Sequence, residues 1–69
     1  MSDHVYKIVE VVGTSREGVD AAVRNAISKV GTTTPHLDWY EVTQIRGDLE
    51  RNEIAYVQVS LKVGCRITE

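Results

Sequence analysis

Apolar residues recur along this chain with two different periods, and each change of period marks a new element. Val5-Tyr6-Lys7-Ile8-Val9-Glu10-Val11-Val12 is rich in β-branched residues and closed by Gly13, which predicts a strand. Alternation puts Val5, Lys7, Val9 and Val11 on one face and Tyr6, Ile8, Glu10 and Val12 on the other. Neither face is polar, so a short strand buried on both sides is expected, with burial by a neighbouring subunit as the close second. The period then lengthens. Val19, Ala22, Val23, Ala26, Ile27 and Val30 fall at i, i+3, i+4, i+7, i+8 and i+11, the apolar stripe of an amphipathic helix. Thr14 and Glu17 have capping-box spacing, with Ser15 as the competing cap, and Gly31 is placed to close the helix in a left-handed conformation.

Thr32-Thr33-Thr34-Pro35-His36 is a polar connector in which Pro35 holds Thr34 extended. Period two returns at Leu37, and the stretch to Gly47 reads as a strand carrying the only tryptophan. Strict alternation groups Trp39 with Leu37, Glu41, Thr43 and Ile45, and sets Tyr40 and Val42 opposite. Gly47-Asp48-Leu49-Glu50-Arg51-Asn52 supplies a turn, and Glu53 to Ile67 runs as a long strand. In that strand alternation is cleanest. Ala55, Val57, Val59, Leu61, Val63, Cys65 and Ile67 face the helix, while Tyr56, Gln58, Ser60, Lys62, Gly64 and Arg66 face away. The order is β-α-β-β, an α+β chain whose last two strands form a hairpin. Strands of this length extend roughly 35 to 50 Å, whereas a fifteen-residue helix covers about 22 Å. The sheet must overhang its helix, leaving Trp39, Ile54 and Tyr56 bare in a monomer, so a closed, symmetric self-assembly is expected.

Size points the same way. Sixty-nine residues make a single domain, 1–69, and so small a core is marginal without a disulfide, a metal or association. Cys65 has no partner for a disulfide, and two histidines with one thiol lack zinc-ligand spacing, so association remains. A formal charge of −2, from eight basic and ten acidic residues interleaved, excludes the basic field that nucleic acid or a membrane surface would need. Met1-Ser2-Asp3-His4 opens with an acid and leads into no apolar run, and the lone cysteine suits a reducing compartment, so a cytoplasmic location is expected.

Candidate chemistry is sparse. His36 has no second ligand or nucleophile at working distance and reads as a solvated loop residue. Gly13-Thr14-Ser15 lacks the lysine of a phosphate loop. Cys65 sits in the apolar row and reads as a small buried hydrophobe. Trp39 stands out. An indole beside a carboxylate on a half-covered strand is either docked on another subunit or offered to a flat ligand.

The chain resembles the dodecins, a family of small flavin-binding proteins, over nearly its whole length. The resemblance is carried by Val-Gly-Thr-Ser at 12–15, Leu-Asp-Trp-Tyr-Glu-Val at 37–42, Ile-Arg-Gly at 45–47, Gln58-Val59, and Lys62-Val63-Gly64-Cys65-Arg66. It departs at Tyr40 and Cys65, where similar bacterial proteins commonly carry phenylalanine. The resemblance implies a three-stranded antiparallel sheet wrapped around one helix and assembled into a hollow homododecamer. It further implies that Trp39 stacks on the isoalloxazine of FMN or riboflavin and that Gln58 hydrogen-bonds its polar edge. Arg46 and Arg66 are the matching cations for a flavin phosphate. Some similar proteins also bind coenzyme A. Storage, buffering and photoprotection are the implied roles.

Two rivals stand beside this reading. Catalysis is not expected, because no acid-base group accompanies Trp39 and Gln58 and a flavin walled by aromatics leaves little room for a substrate. The alternative is a structural or protein-interaction oligomer in which Trp39 is an interface anchor. Arg46 could likewise merely pair with Glu50 or Asp48, and Arg66 could be a solvated terminus.

Overall fold

The computed structural model describes residues 3–67, so Met1 and Ser2 of the opening tetrapeptide lie outside the described residues. Its elements run β1 (Val5–Ser15), α1 (Val19–Gly31), β2 (Leu37–Glu50) and β3 (Glu53–Ile67). The strands form one antiparallel sheet in the order β1-β3-β2, so the last strand of the chain inserts between the first two. The centre falls to the strand with the cleanest alternation. Val59, Leu61 and Val63 of β3 are buried against Ala22, Val23 and Ala26 of α1, and Cys65 of β3 and Val30 near the end of the helix are buried as well. Val19, the first stripe residue, stays exposed because it precedes the point where the helix reaches the sheet.

Four local expectations are corrected. β1 continues through Gly13, Thr14 and Ser15, so no capping box forms; Gly18, at φ 131°, is the N-cap and makes no side-chain cap. Ser15 Oγ instead accepts from the Glu17 N–H at 2.9 Å, and Asn25 Nδ2 ties the helix to the Thr14 carbonyl at 2.9 Å. Gly13 is needed for a different reason from stopping the strand. A Cβ there would collide with the Ala22 carbonyl oxygen and stand 2.8 Å from Ala26 Cβ, so its bare backbone sets the helix-to-sheet distance. Gly31 is an ordinary helical residue, and Thr32 closes the helix with its hydroxyl donating to the Lys29 carbonyl at 2.7 Å. The turn is much tighter than six residues: β2 runs on to Glu50, and only Arg51 and Asn52, at φ 54° and 67°, join the strands. Two successive positive φ values make the type I′ turn whose twist matches a hairpin.

The first strand is not buried on both sides within the protomer. β1 is an edge strand, and Ile8 and Val12 are exposed on the face away from the helix. β2 is barer still: apart from the half-buried Leu37, every one of its residues is exposed on one face or the other. The reason is geometric. The chain measures 54 × 20 × 14 Å, while thirteen helical residues span only about 20 Å, and α1 lies against β1 and β3. Leu49 and Ile54, 70% and 73% exposed beside the hairpin turn, mark the far end of the overhang. Among the described residues no helix is long and apolar enough to cross a membrane.

Candidate functional site

The face turned away from the helix carries every candidate residue, and two irregularities in β2 put them there. Leu37 pairs with Cys65 but Trp39 with Gly64, and Val42 pairs with Leu61 but Gln44 with Ser60, so Asp38 and Thr43 are each an extra residue. Each bulge reverses the alternation downstream. Strict alternation therefore misplaces this strand. Leu37, Tyr40, Val42 and Ile45 lie on the helix side with the inward row of β3, whereas Trp39, Glu41, Gln44, Arg46 and Asp48 share the outer face with Gly64, Lys62, Ser60, Gln58 and Tyr56. Without the bulge at Thr43, Trp39 and Arg46 would point to opposite sides of the sheet.

At one end of this face lies Trp39. A Cβ built on Gly64 would stand 2.6 Å from Trp39 Cδ2 and closer still to Cε2 and Cζ2, three adjoining ring atoms. A point nearest Cε2 with its bonded neighbours next is a point above the ring plane, so the indole lies face-down over the glycine. Its other face remains open, and the residue is 40% exposed. Tyr6, on the outer face of β1, borders the indole with ring centroids 5.9 Å apart and planes at 59°. Its hydroxyl donates to Asp38 Oδ2 at 3.0 Å. That hydrogen bond, helped by desolvation and the Asp38 charge and opposed by the Arg66 charge, raises the Tyr6 phenol above its ordinary value of 10.0. Arg66 is the cross-strand neighbour of Tyr6 and is half-buried in β3, which removes the solvated-terminus reading.

The other end is polar. Arg46 Nε donates to Gln58 Oε1 at 3.1 Å across the β2–β3 pair. Among the described residues the ion pair is Arg24 with Asp20, so Arg46 does not pair with Glu50 or Asp48. Asp48 instead faces Tyr56, whose phenol it raises through hydrogen bonding and charge. Thr14, Ser15, Arg16, Tyr56 and Gln58 line a shallow recess of about 290 Å³ here.

The structure thus brings Arg46 to Gln58 and Arg66 to the surroundings of Trp39, but it does not bring the two pairs together. Gly64 under the indole and Gln58 are separated by six steps of one strand, about 20 Å. That is farther than a three-ring heterocycle can bridge. A second recess, lined by Ile27, Leu37, Tyr40 and Val63 of the helix side together with Asp38 and Trp39, holds only about 140 Å³, below the usual range for an enclosed organic ligand. Among the described residues no cluster of three metal-ligating side chains occurs, Cys65 is buried in the core, and His36 is an exposed residue at φ 62° ahead of β2.

Sequence reasoning singled out Trp39, Gln58, Arg46 and Arg66 but not the residues that frame the indole. Gly64 left a trace, since a glycine inside a cleanly alternating strand signals a close approach. Tyr6 and Asp38 left none, because they meet only through a strand order in which β3 lies between them.

The family model for dodecins matches residues 5–68. A dodecin of Thermus thermophilus is 48% identical over 65 residues, 94% of each chain. Among solved structures, the dodecin of Streptomyces coelicolor is 54% identical with a TM-score of 0.93, covering 100% of this chain and 99% of its own. That of Streptomyces davaonensis is 48% identical, also at 0.93, covering 99% of this chain and 100% of its own.

Proposed function

The chain belongs to the dodecin family, and from that premise we propose that it binds a flavin, FMN or riboflavin, by stacking it on Trp39. The observation that carries the proposal is the posture of the indole, one face seated on Gly64 and the other free. A tryptophan anchoring a protein interface needs only area. A platform for a planar ring needs a flat, open face at fixed height, which the missing side chain at position 64 supplies. Gln58 offers an amide donor and acceptor that match the pyrimidine edge of an isoalloxazine. Arg46, which pairs with no carboxylate among the described residues, offers its guanidinium to a phosphate, and Arg66 is the second cation.

Because about 20 Å separates the two ends of this face, one flavin meets Trp39 of one copy and Gln58 of another. The site is then completed by assembly, and a two-fold contact that sets the outer faces head-to-tail produces two such sites at once. The bare strand β2 and the exposed Leu49 and Ile54 give the assembly its apolar area, and a closed homododecamer fits the family. The flavin is held, not turned over: neither raised tyrosine, Tyr6 or Tyr56, is an acid or base near neutrality. Storage, buffering or photoprotection is the role that follows. Ligand extracted from natively purified protein and identified by mass tests this reading; a flavin is expected, and a colourless oligomer that leaves added FMN fluorescence unquenched would overturn it.

A further inference from the structure

Tyr6 and Asp38 sit on the two outer strands of the sheet, so their hydrogen bond is not a nearest-neighbour contact. Adjacent strands lie about 4.8 Å apart, and two such steps separate β1 from β2. The phenol, whose cross-strand partner is Arg66, therefore reaches diagonally over β3 toward the level of Gly64, where no side chain stands in its way. Asp38 is the extra residue of the first bulge, and Trp39 is the next residue in the chain. A bulge re-aims the side chains around it, but an exposed one also has room to relax. Here it is held by the 3.0 Å bond from the Tyr6 hydroxyl.

The tyrosine touches the indole as well. Its ring stands 5.9 Å from that of Trp39 at 59°, closing the side toward β1, while Gly64 forms the floor. His4 backs the phenol edge-on at 6.5 Å and 74°. Floor, side wall and clamped neighbour each restrict how the indole lies. We propose that Tyr6 is a positioning residue for Trp39, its bond to Asp38 holding the indole face-down with the outer face presented; this rests on the flavin reading above. Tyr6 makes no contact with the flavin in this account and acts through the order it imposes on the platform.

The lone tryptophan makes the idea testable without a ligand. Time-resolved anisotropy of Trp39 is read in the apo oligomer of wild type, Tyr6→Phe, Asp38→Ala, Asp38→Asn and the double variant Tyr6→Phe/Asp38→Ala, with oligomer size checked on each sample. The same samples are then titrated with FMN. Tyr6→Phe and Asp38→Ala each lose the bond and are expected to add fast indole motion and to weaken FMN roughly three- to tenfold, as loss of a partly exposed hydrogen bond to a charged acceptor would. The double variant is expected to be no worse than either single one, because both remove one interaction. Asp38→Asn keeps an acceptor oxygen without the charge and is expected to lose less than Asp38→Ala. Unchanged indole motion in Tyr6→Phe, additive losses in the double variant, or disorder that appears only with dissociation of the oligomer would each overturn the proposal. Wild-type protein that binds no FMN but shows the expected anisotropy series would overturn the flavin reading alone.

Discussion

Replacing Gly64 by alanine separates the binding platform from the fold more cleanly than any change at the tryptophan itself. Gly64 has no positive φ, so its strand conformation suits alanine, and removing a glycine stabilises a fold by about 0.4–1 kcal/mol through the unfolded chain. The added methyl meets the indole, not the backbone. It would stand 2.6 Å from Trp39 Cδ2 and nearer to two other ring atoms, whereas ordinary contact begins at 3.4 Å, so the ring must lift or swing by at least 0.8 Å. That motion takes it into the space where a stacked ring would lie. Base–aromatic stacking, the nearest measured analogue, is worth roughly 1–3 kcal/mol, so FMN affinity should fall about five- to 150-fold. Thermal midpoint and oligomer size should hold. Fluorescence-quenching titration beside a melting curve reads both. Gly31→Ala is the control, since its methyl would meet only Leu37 Cδ1 at an ordinary 3.8 Å and should leave binding unchanged. Wild-type FMN affinity in G64A would refute the face-down platform.

Further perturbations act on other parts of the account. Arg46→Ala should weaken FMN more than riboflavin, because the phosphate is the difference between the two ligands; equal losses in paired titrations would remove that role. Gly13→Ala should cost about 1–3 kcal/mol by chemical denaturation, since its methyl strikes the helix backbone at Ala22, and an unchanged midpoint would mean that helix and sheet part freely. The Tyr6 phenol is raised above 10.0, so the protonated form is the one the fold favours, and its contribution is present below that value and lost as pH rises through the raised one. With Asp38, Arg66 and His4 as its charged or titratable neighbours, alkaline titration followed by Trp39 fluorescence should show a step above pH 10.0 that is absent in Tyr6→Phe.

How far the sequence could be read depended on whether a feature was periodic or positional. The helix stripe and the fifteen-residue β3 are periodic over several repeats, and both stand where hydropathy places them. The same holds for the outward Gln58 and the buried Cys65, which follow from that alternation. β2 departs from strict alternation because two extra residues, Asp38 and Thr43, reset a pattern of period two, and neither is a glycine that would mark the bulge. The turn differs from its sequence pattern for a related reason. Gly47 and Asp48 look like turn residues, but Gly47 is a paired strand residue with the β3 backbone close against it, and the chain reverses at Arg51-Asn52. The capping spacing of Thr14 and Glu17 lost to a longer β1, whose pairing extends to Ser15 opposite Val57. The separation of Trp39 from Gln58 does not follow from motif order, because it depends on the register of β2 against β3, the strand that carries Gln58.

Stacking on Trp39 is the claim on which the rest depends, and the direct measurement is FMN titration of wild type and Trp39→Ala with oligomer size determined on the same samples. The account predicts an intact oligomer whose FMN affinity falls by about five- to 150-fold, and further if two copies of Trp39 wall one paired ligand site. Wild-type affinity in an intact Trp39→Ala oligomer would contradict it. A dissociated variant would contradict it in another way, placing the indole among interface anchors, whose truncation costs several kcal/mol.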